Sequence, residues 1–129
     1  MNELVEKAFE ALENAYVPYS YYRVGACVKT KDGRFYKGAN IENASYGLTN
    51  CAERTAIFSD YADGVRREDV EAIAIVSEGK TLAAPCGACR QVLCELIDLD
   101  TPIYLSNHVL EKTTSIRELL PMSFTSEDL

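Results

Sequence analysis

The pattern of apolar residues predicts an α/β chain, a three-layer α/β/α arrangement around a five-stranded mixed sheet. Three observations predict it. Apolar positions recur at three- and four-residue intervals near the start of the chain, as they do along one face of a helix. Glu71 to Val76 (EAIAIV) is a nearly continuous apolar run, which suits a central strand covered on both faces. Helical and extended segments then follow in the order helix, two strands, helix, strand, helix, two strands, helix.

The first helix turns Leu4, Val5, Ala8, Leu12, Ala15 and Tyr16 to one face, and Pro18 ends it. Tyr22, Val24, Ala26 and Val28 alternate along a strand, Asp32-Gly33 supplies a turn, and Phe35 to Ala39 return as the hairpin partner. From Asn40 to Asn50 the periodicity is lost; polar groups with Tyr46 and Gly47 predict a loop at a working surface. A second helix runs from about Cys51 to Tyr61 and closes near Gly64. After the central strand, a third helix starts at the PCGAC segment and carries Val92, Leu93, Leu96 and Ile97 inward. Pro102 to Leu105 and roughly Leu110 to Thr113 are two more strands. Ser115 and Glu118 predict a capping box for a short final helix, which Pro121 stops. No repeat, low-complexity stretch or linker interrupts the chain, so residues 1–129 are expected to form a single domain.

Composition narrows the function. With 47% hydrophobic and 26% charged residues, the chain can bury roughly two-thirds of its unfolded surface, which excludes a disordered chain and a disulfide-stapled miniprotein. Thirteen basic against twenty acidic side chains give a formal charge of −7. A polynucleotide ligand needs a basic footprint, so no nucleic-acid partner is expected and a small, nearly neutral substrate fits better. No apolar run approaches the ~20 residues of a membrane span, and the mixed-charge start MNELVEKAFEAL is unlike a secretory signal. The five cysteines are odd in number and read as reduced thiols or metal ligands in the cytosol; a cytoplasmic protein is expected.

The chemistry concentrates at two helix starts, Asn50-Cys51-Ala52-Glu53-Arg54 and Pro85-Cys86-Gly87-Ala88-Cys89-Arg90. Cys86 and Cys89, three apart in a first helical turn, project from one face. Helix N-termini favour thiolate over thiol, and thiolate is the form that binds zinc. The 34 residues between Cys51 and Cys86 hold a helix, a strand and a loop, which returns the second helix start beside the first. Three thiolates then leave a tetrahedral zinc one open position, the mark of a catalytic ion, where water loses its proton near neutral pH. Glu53, two residues past Cys51, is placed to take that proton and hand it on. Arg54 and Arg90 stand next to the ligands, where a guanidinium can withdraw charge from sulfur. His108 is the single histidine, which excludes a histidine-rich site. A lone C-x-x-C also occurs in redox pairs and zinc ribbons, but a third cysteine with a glutamate argues against both. For Cys27 and Cys94 the expected role is core packing.

C-A-E-R-T-A at Cys51 to Ala56 and P-C-G-A-C-R-Q at Pro85 to Gln91 resemble the zinc-dependent cytidine deaminase family, in which the glutamate is not a ligand. Three cysteines resemble its small homotetrameric members that act on free nucleosides; the polynucleotide-acting relatives carry histidine at the position of Cys51. P-Y-S at Pro18, V-G-A at Val24, N-I-E-N-A at Asn40 and the ending L-L-P-x-x-F with S-E-D-L extend the resemblance over nearly the whole chain. It implies a cytidine deaminase-like fold and hydrolysis of cytidine and 2′-deoxycytidine to uridine and 2′-deoxyuridine plus ammonia. Attack at C4 would come from zinc-activated hydroxide, with Glu53 as proton shuttle and Cys51, Cys86 and Cys89 as zinc ligands. It further implies that Asn40 and Glu42 hold the ribose, that the Ala52 backbone N–H faces the pyrimidine carbonyl, and that Tyr22 packs against the base. Tyr46 and Phe124 would come from adjacent subunits of a homotetramer, and Arg54 would support the ligands. Tyr22 stands where the family usually has phenylalanine, Arg23 where it has proline, and Ala84 where it often has serine or threonine. The nearest alternative is a deaminase of a cytosine nucleoside antibiotic such as blasticidin S, which shares the zinc motifs and differs around the ribose segment.

Overall fold

Residues 2–129 are described by a computed structural model. Strand β1 (Val24–Thr30) and strand β2 (Phe35–Ala39) pair antiparallel as the alternation predicts. Gly33 closes the turn at φ 90°, a left-handed value that glycine adopts without cost. Strands β3 (Val70–Ser77), β4 (Ile103–Ser106) and β5 (Glu111–Thr114) complete a five-stranded sheet in the order β2-β1-β3-β4-β5. The β3–β4 pair is parallel and the others are antiparallel, so the sheet is mixed and β2, β3 and β4 run in one direction. EAIAIV is the middle strand, and all of β3 except Glu71 is buried.

The two faces of β3 are covered by different helices. Helix α1 (Glu3–Leu12) packs Leu4, Val5, Ala8 and Leu12 onto Cys27, Ala72, Ala74 and Val76. The other face, with Ala26, Val28, Ile73, Ile75 and Ile103, lies under α2 (Ala52–Ala62), α3 (Gly87–Leu96) and the short α4 (Ile116–Leu119). This is the expected three-layer α/β/α architecture. Helix α2 leaves the chain after β2 and α3 after β3. Because those strands run in parallel, both helix N-termini arrive at one edge of the sheet, where ligand sites of α/β proteins lie.

Helix α2 is held close over β2 by Gly38. A Cβ there would stand 2.4 Å from the Ala56 nitrogen and 2.6 Å from the Ala52 carbonyl oxygen. Neither backbone atom can give way without moving the helix that carries Cys51 and Glu53. Gly38→Ala is therefore expected to lower stability by about 1–3 kcal/mol or more, read as a lower midpoint in urea denaturation.

Asp60 is fully buried in α2, and neither of its carboxylate oxygens finds a hydrogen-bond partner among the described residues. Burial pushes its carboxyl up to about 7. The folded chain then keeps a proton that the unfolded chain has lost, so stability falls as pH rises from about 4 to about 7, by up to about 4 kcal/mol. Asp60→Asn cannot titrate and should flatten that part of the stability–pH curve. Urea midpoints at pH 4, 6 and 8 check this; an unchanged slope in the variant would refute it.

The structure departs from the sequence pattern in three places. The first helix ends at Leu12, not beside Pro18, because the chain turns at Glu13 and Asn14. Tyr16 instead forms a bridge to Ile41, giving its N–H to the Asn40 carbonyl at 2.9 Å. Tyr22 lies outside the strand, which starts at Val24. The capping box is half made: Ser115 Oγ accepts from the Glu118 N–H at 3.4 Å, while the Glu118 carboxylate takes the Thr114 hydroxyl at 3.1 Å.

Candidate metal centre and active site

Cys51 is the N-cap of α2 and Cys86 the N-cap of α3, so both sulfurs sit where helix ends carry partial positive charge. Cys89 is in the first turn of α3, and its backbone N–H points to the Cys86 sulfur at 3.5 Å. The three sulfurs lie within 4.8 Å of one another, and those of Cys51 and Cys86 are 3.8 Å apart. Sulfurs held at ~2.3 Å from a tetrahedral zinc are roughly 3.8 Å apart, whereas a disulfide needs ~2.05 Å. The donor set fits zinc, with one tetrahedral position left over. Among the described residues no fourth Cys, His, Asp or Glu joins the cluster. Cys27 is buried on the α1 face, where burial pushes its thiol up to about 11, and the Cys94 thiol meets Ser123 Oγ at 3.2 Å.

Cys51 and Cys89 are shifted in opposite directions. Hydrogen bonds from Cys89, Arg54 and Cys86 bring the Cys51 thiol down to about 5, against the opposing effect of burial. Cys89 moves the other way, because it is the donor to Cys51 and is itself buried. Arg54 points its guanidinium at Cys51 with 3.4 Å from nitrogen to sulfur. Arg90 does not do the same. Its guanidinium binds the carbonyls of Pro85 at 2.7 Å and Leu119 at 2.8 Å, so it anchors the Cys86 loop and the C-terminal segment instead of a sulfur.

Glu53 is 5% exposed. Burial, with some help from the Cys51 sulfur, pushes its carboxyl up to about 7. Together with Cys51, Cys86 and Ala52 it lines a cavity of about 400 Å³, within the usual range for small-molecule sites. Tyr22, Asn40 and Val24 form one wall, and Leu82 to Ala84 another. Ala52 is the first residue of α2, where helix geometry leaves N–H groups without a partner inside the helix.

Asn40 spends its amide on the protein, accepting from the Val24 N–H at 2.9 Å and donating to the Tyr22 carbonyl at 2.8 Å. Glu42 lies in an adjoining hollow with Tyr19, Ser20 and Tyr46; Thr49 lines both spaces. Tyr46 is 74% exposed and packs edge-on against Tyr19. Phe124 is 60% exposed and lines a separate hollow beside Cys94. Neither aromatic lines the cysteine cavity of its own chain. Thr49, Leu82 and Ala83 carry no signal in spacing or residue type that would have singled them out.

A mixed-sheet α/β fold with three convergent thiols and a buried carboxyl at one strand edge defines a zinc-dependent hydrolytic enzyme. Residues 1–104 match the family model of the cytidine and deoxycytidylate deaminase zinc-binding region, and the chain belongs to that family. It is 56% identical to a cytidine deaminase of Halalkalibacterium halodurans over 98% of this chain and 95% of that one. With a cytidine deaminase of Sporosarcina psychrophila the identity is 46%, over 100% and 94% of the two chains. The crystal structure of cytidine deaminase from Burkholderia pseudomallei superposes with a TM-score of 0.92 at 49% identity, covering 96% of this chain and 100% of that one. That from Mycobacterium tuberculosis gives 0.81 at 38% identity, over 95% and 94%.

Proposed function

We propose that the protein hydrolyses cytidine and 2′-deoxycytidine to uridine and 2′-deoxyuridine with release of ammonia, in pyrimidine salvage. One observation carries this: the buried Glu53 and two of the three convergent cysteines, Cys51 and Cys86, border a single nucleoside-sized cavity, with Cys89 buried behind them. The names of the relatives support the substrate. Cys51, Cys86 and Cys89 would hold zinc, which when bound supplies a Lewis acid that activates water at neutral pH.

Glu53 moves the protons. A carboxyl pushed up to about 7 holds a proton near neutrality and releases it readily, the condition for acting first as acid and then as base. It protonates N3 of the ring, as carboxylate takes one proton from the attacking water and passes it to the departing amine, and recovers its own proton from the C4 hydroxyl as the carbonyl forms. Arg54 draws charge from the Cys51 sulfur. The Ala52 N–H faces the pyrimidine carbonyl, Tyr22 packs against the base, and Asn40 and Glu42 bind the sugar hydroxyls.

Tyr46 and Phe124 reach the substrate of a neighbouring subunit in a homotetramer. Their exposure, and their absence from the lining of their own chain's cysteine cavity, support this. The chain acts as one domain over residues 1–129, its two apolar layers sharing one sheet. Its place is the cytoplasm, where its thiols stay reduced. No helix among the described residues is long and apolar enough to cross a membrane.

Incubating the zinc-loaded protein with cytidine alone should release ammonia and form uridine in equal amounts. A folded, zinc-loaded sample that releases none would overturn the assignment.

A further inference from the structure

The segment from Tyr19 to Tyr22 is tied to Asn40 and Glu42 by hydrogen bonds, and Ser20 is at their centre. Glu42 Oε1 accepts from the backbone N–H groups of Tyr19 at 3.0 Å and Ser20 at 3.1 Å. Its Oε2 accepts from the Ser20 hydroxyl. The same Ser20 oxygen accepts the Tyr22 N–H at 3.0 Å, while Asn40 holds the Tyr22 carbonyl at 2.8 Å. Between Ser20 and Tyr22, Tyr21 takes a left-handed φ of 57°, which is rare for a bulky side chain and persists only where neighbours impose it. Its own ring is 83% exposed and holds nothing in place. The turn is set by the Ser20–Tyr22 bond and by the Tyr21 N–H on the Val17 carbonyl at 3.0 Å.

This turn separates two groups that face different spaces. Tyr22 lines the cavity of Cys51 and Glu53, and Glu42 lines the adjoining hollow. The Ser20 hydroxyl has given its hydrogen to Glu42 and a lone pair to Tyr22, so it orients both and has no hydrogen left for a ligand.

We infer that Ser20 is a positioning residue for the substrate, fixing the sugar-side carboxylate of Glu42 and the base-side ring of Tyr22 at one spacing through its hydroxyl. The inference rests on the reading of Glu42 and Tyr22 under the proposed function. Uniform binding is what such a device supplies, so it acts on KM and leaves the chemical step alone.

The test compares Ser20→Ala, Ser20→Thr, Glu42→Ala and the Ser20→Ala/Glu42→Ala double variant in cytidine turnover, with melting temperatures recorded for each. Ser20→Ala is expected to raise KM about tenfold, the scale of one lost hydrogen bond to a charged group, with kcat within about twofold of the parent. Ser20→Thr, which keeps the hydroxyl, should restore KM. On the Glu42→Ala background, Ser20→Ala should add much less than it does alone. If Glu42→Ala raises KM and Ser20→Ala does not, the inference fails and the sugar-side reading stands. It fails equally if Ser20→Thr gives no rescue. If Glu42→Ala leaves KM unchanged, the sugar-side reading falls and takes the inference with it.

Discussion

Glu53→Gln is expected to keep the fold and the zinc and to lose turnover by at least about 10³-fold, the upper part of the range for a positioned acid–base group. The substitution is nearly isosteric, and the side chain it changes is 5% exposed and not one of the three clustered sulfur donors. A carboxyl pushed up to about 7 by burial is costly to keep as a carboxylate, so a neutral amide in its place should not destabilise the helix start. What the amide cannot do is give up and regain a proton. Loss should therefore fall on kcat, with KM for cytidine little changed or lower. Zinc content by atomic absorption and steady-state kinetics on the same sample decide it. A variant with one zinc per chain and full kcat would remove Glu53 from the chemistry.

The zinc ligands and the place of Glu53 beside them were legible because their positions are set by local geometry. Cys51 and Cys86 stand immediately before helices, so spacing alone puts both sulfurs at helix N-termini. A parallel arrangement of β2 and β3 then brings those ends together. The two arginines show where local reading stops. Arg54 follows Cys51 by three residues and shares its side of the helix, and it reaches the sulfur. Arg90 follows Cys86 by four, a spacing that also shares a side of the helix, yet its guanidinium is taken by the carbonyls of Pro85 and Leu119. Leu119 comes to it only by folding, so spacing could not show which arginine would reach a sulfur.

Residues on loops were harder to read, since their paths depend on distant pairings. The helix pattern ran on to Tyr16 because three- and four-residue spacing continues there, yet the Tyr16–Ile41 bridge claims that stretch of backbone. The same bridge brings residues 19–22 beside Glu42, and nothing in the spacing of P-Y-S foretold that its serine would bond both Glu42 and Tyr22. Thr49 and Leu82 come to the cavity by folding alone. What the pattern carried in full was the layer architecture: strand β3 alternates Ile73 and Ile75 toward α2 and α3 with Ala72, Ala74 and Val76 toward α1.

Removing zinc with a chelator should abolish activity and leave the chain folded, because neither apolar layer includes Cys51, Cys86 or Cys89, which gather at the sheet edge. Restoring zinc should restore turnover, and magnesium, a hard ion that prefers oxygen donors, should not. Cys89→Ala goes further. It removes a fully buried donor and leaves two sulfurs, so zinc should be lost on dialysis and turnover with it. The proton balance of binding gives a separate check. Cys51, brought down to about 5, is already a thiolate at neutral pH, but Cys89 is pushed up and must surrender its proton when the metal enters. Each proton expelled makes affinity rise about tenfold per pH unit, so zinc should bind more tightly at pH 8 than at pH 6 by a factor of about 100 or more. Competition against a chromophoric chelator at pH 6, 7 and 8 measures this directly, after correction for the chelator's own protonation. A pH-independent affinity would mean that Cys89 does not hold the proton that Cys51 has lost.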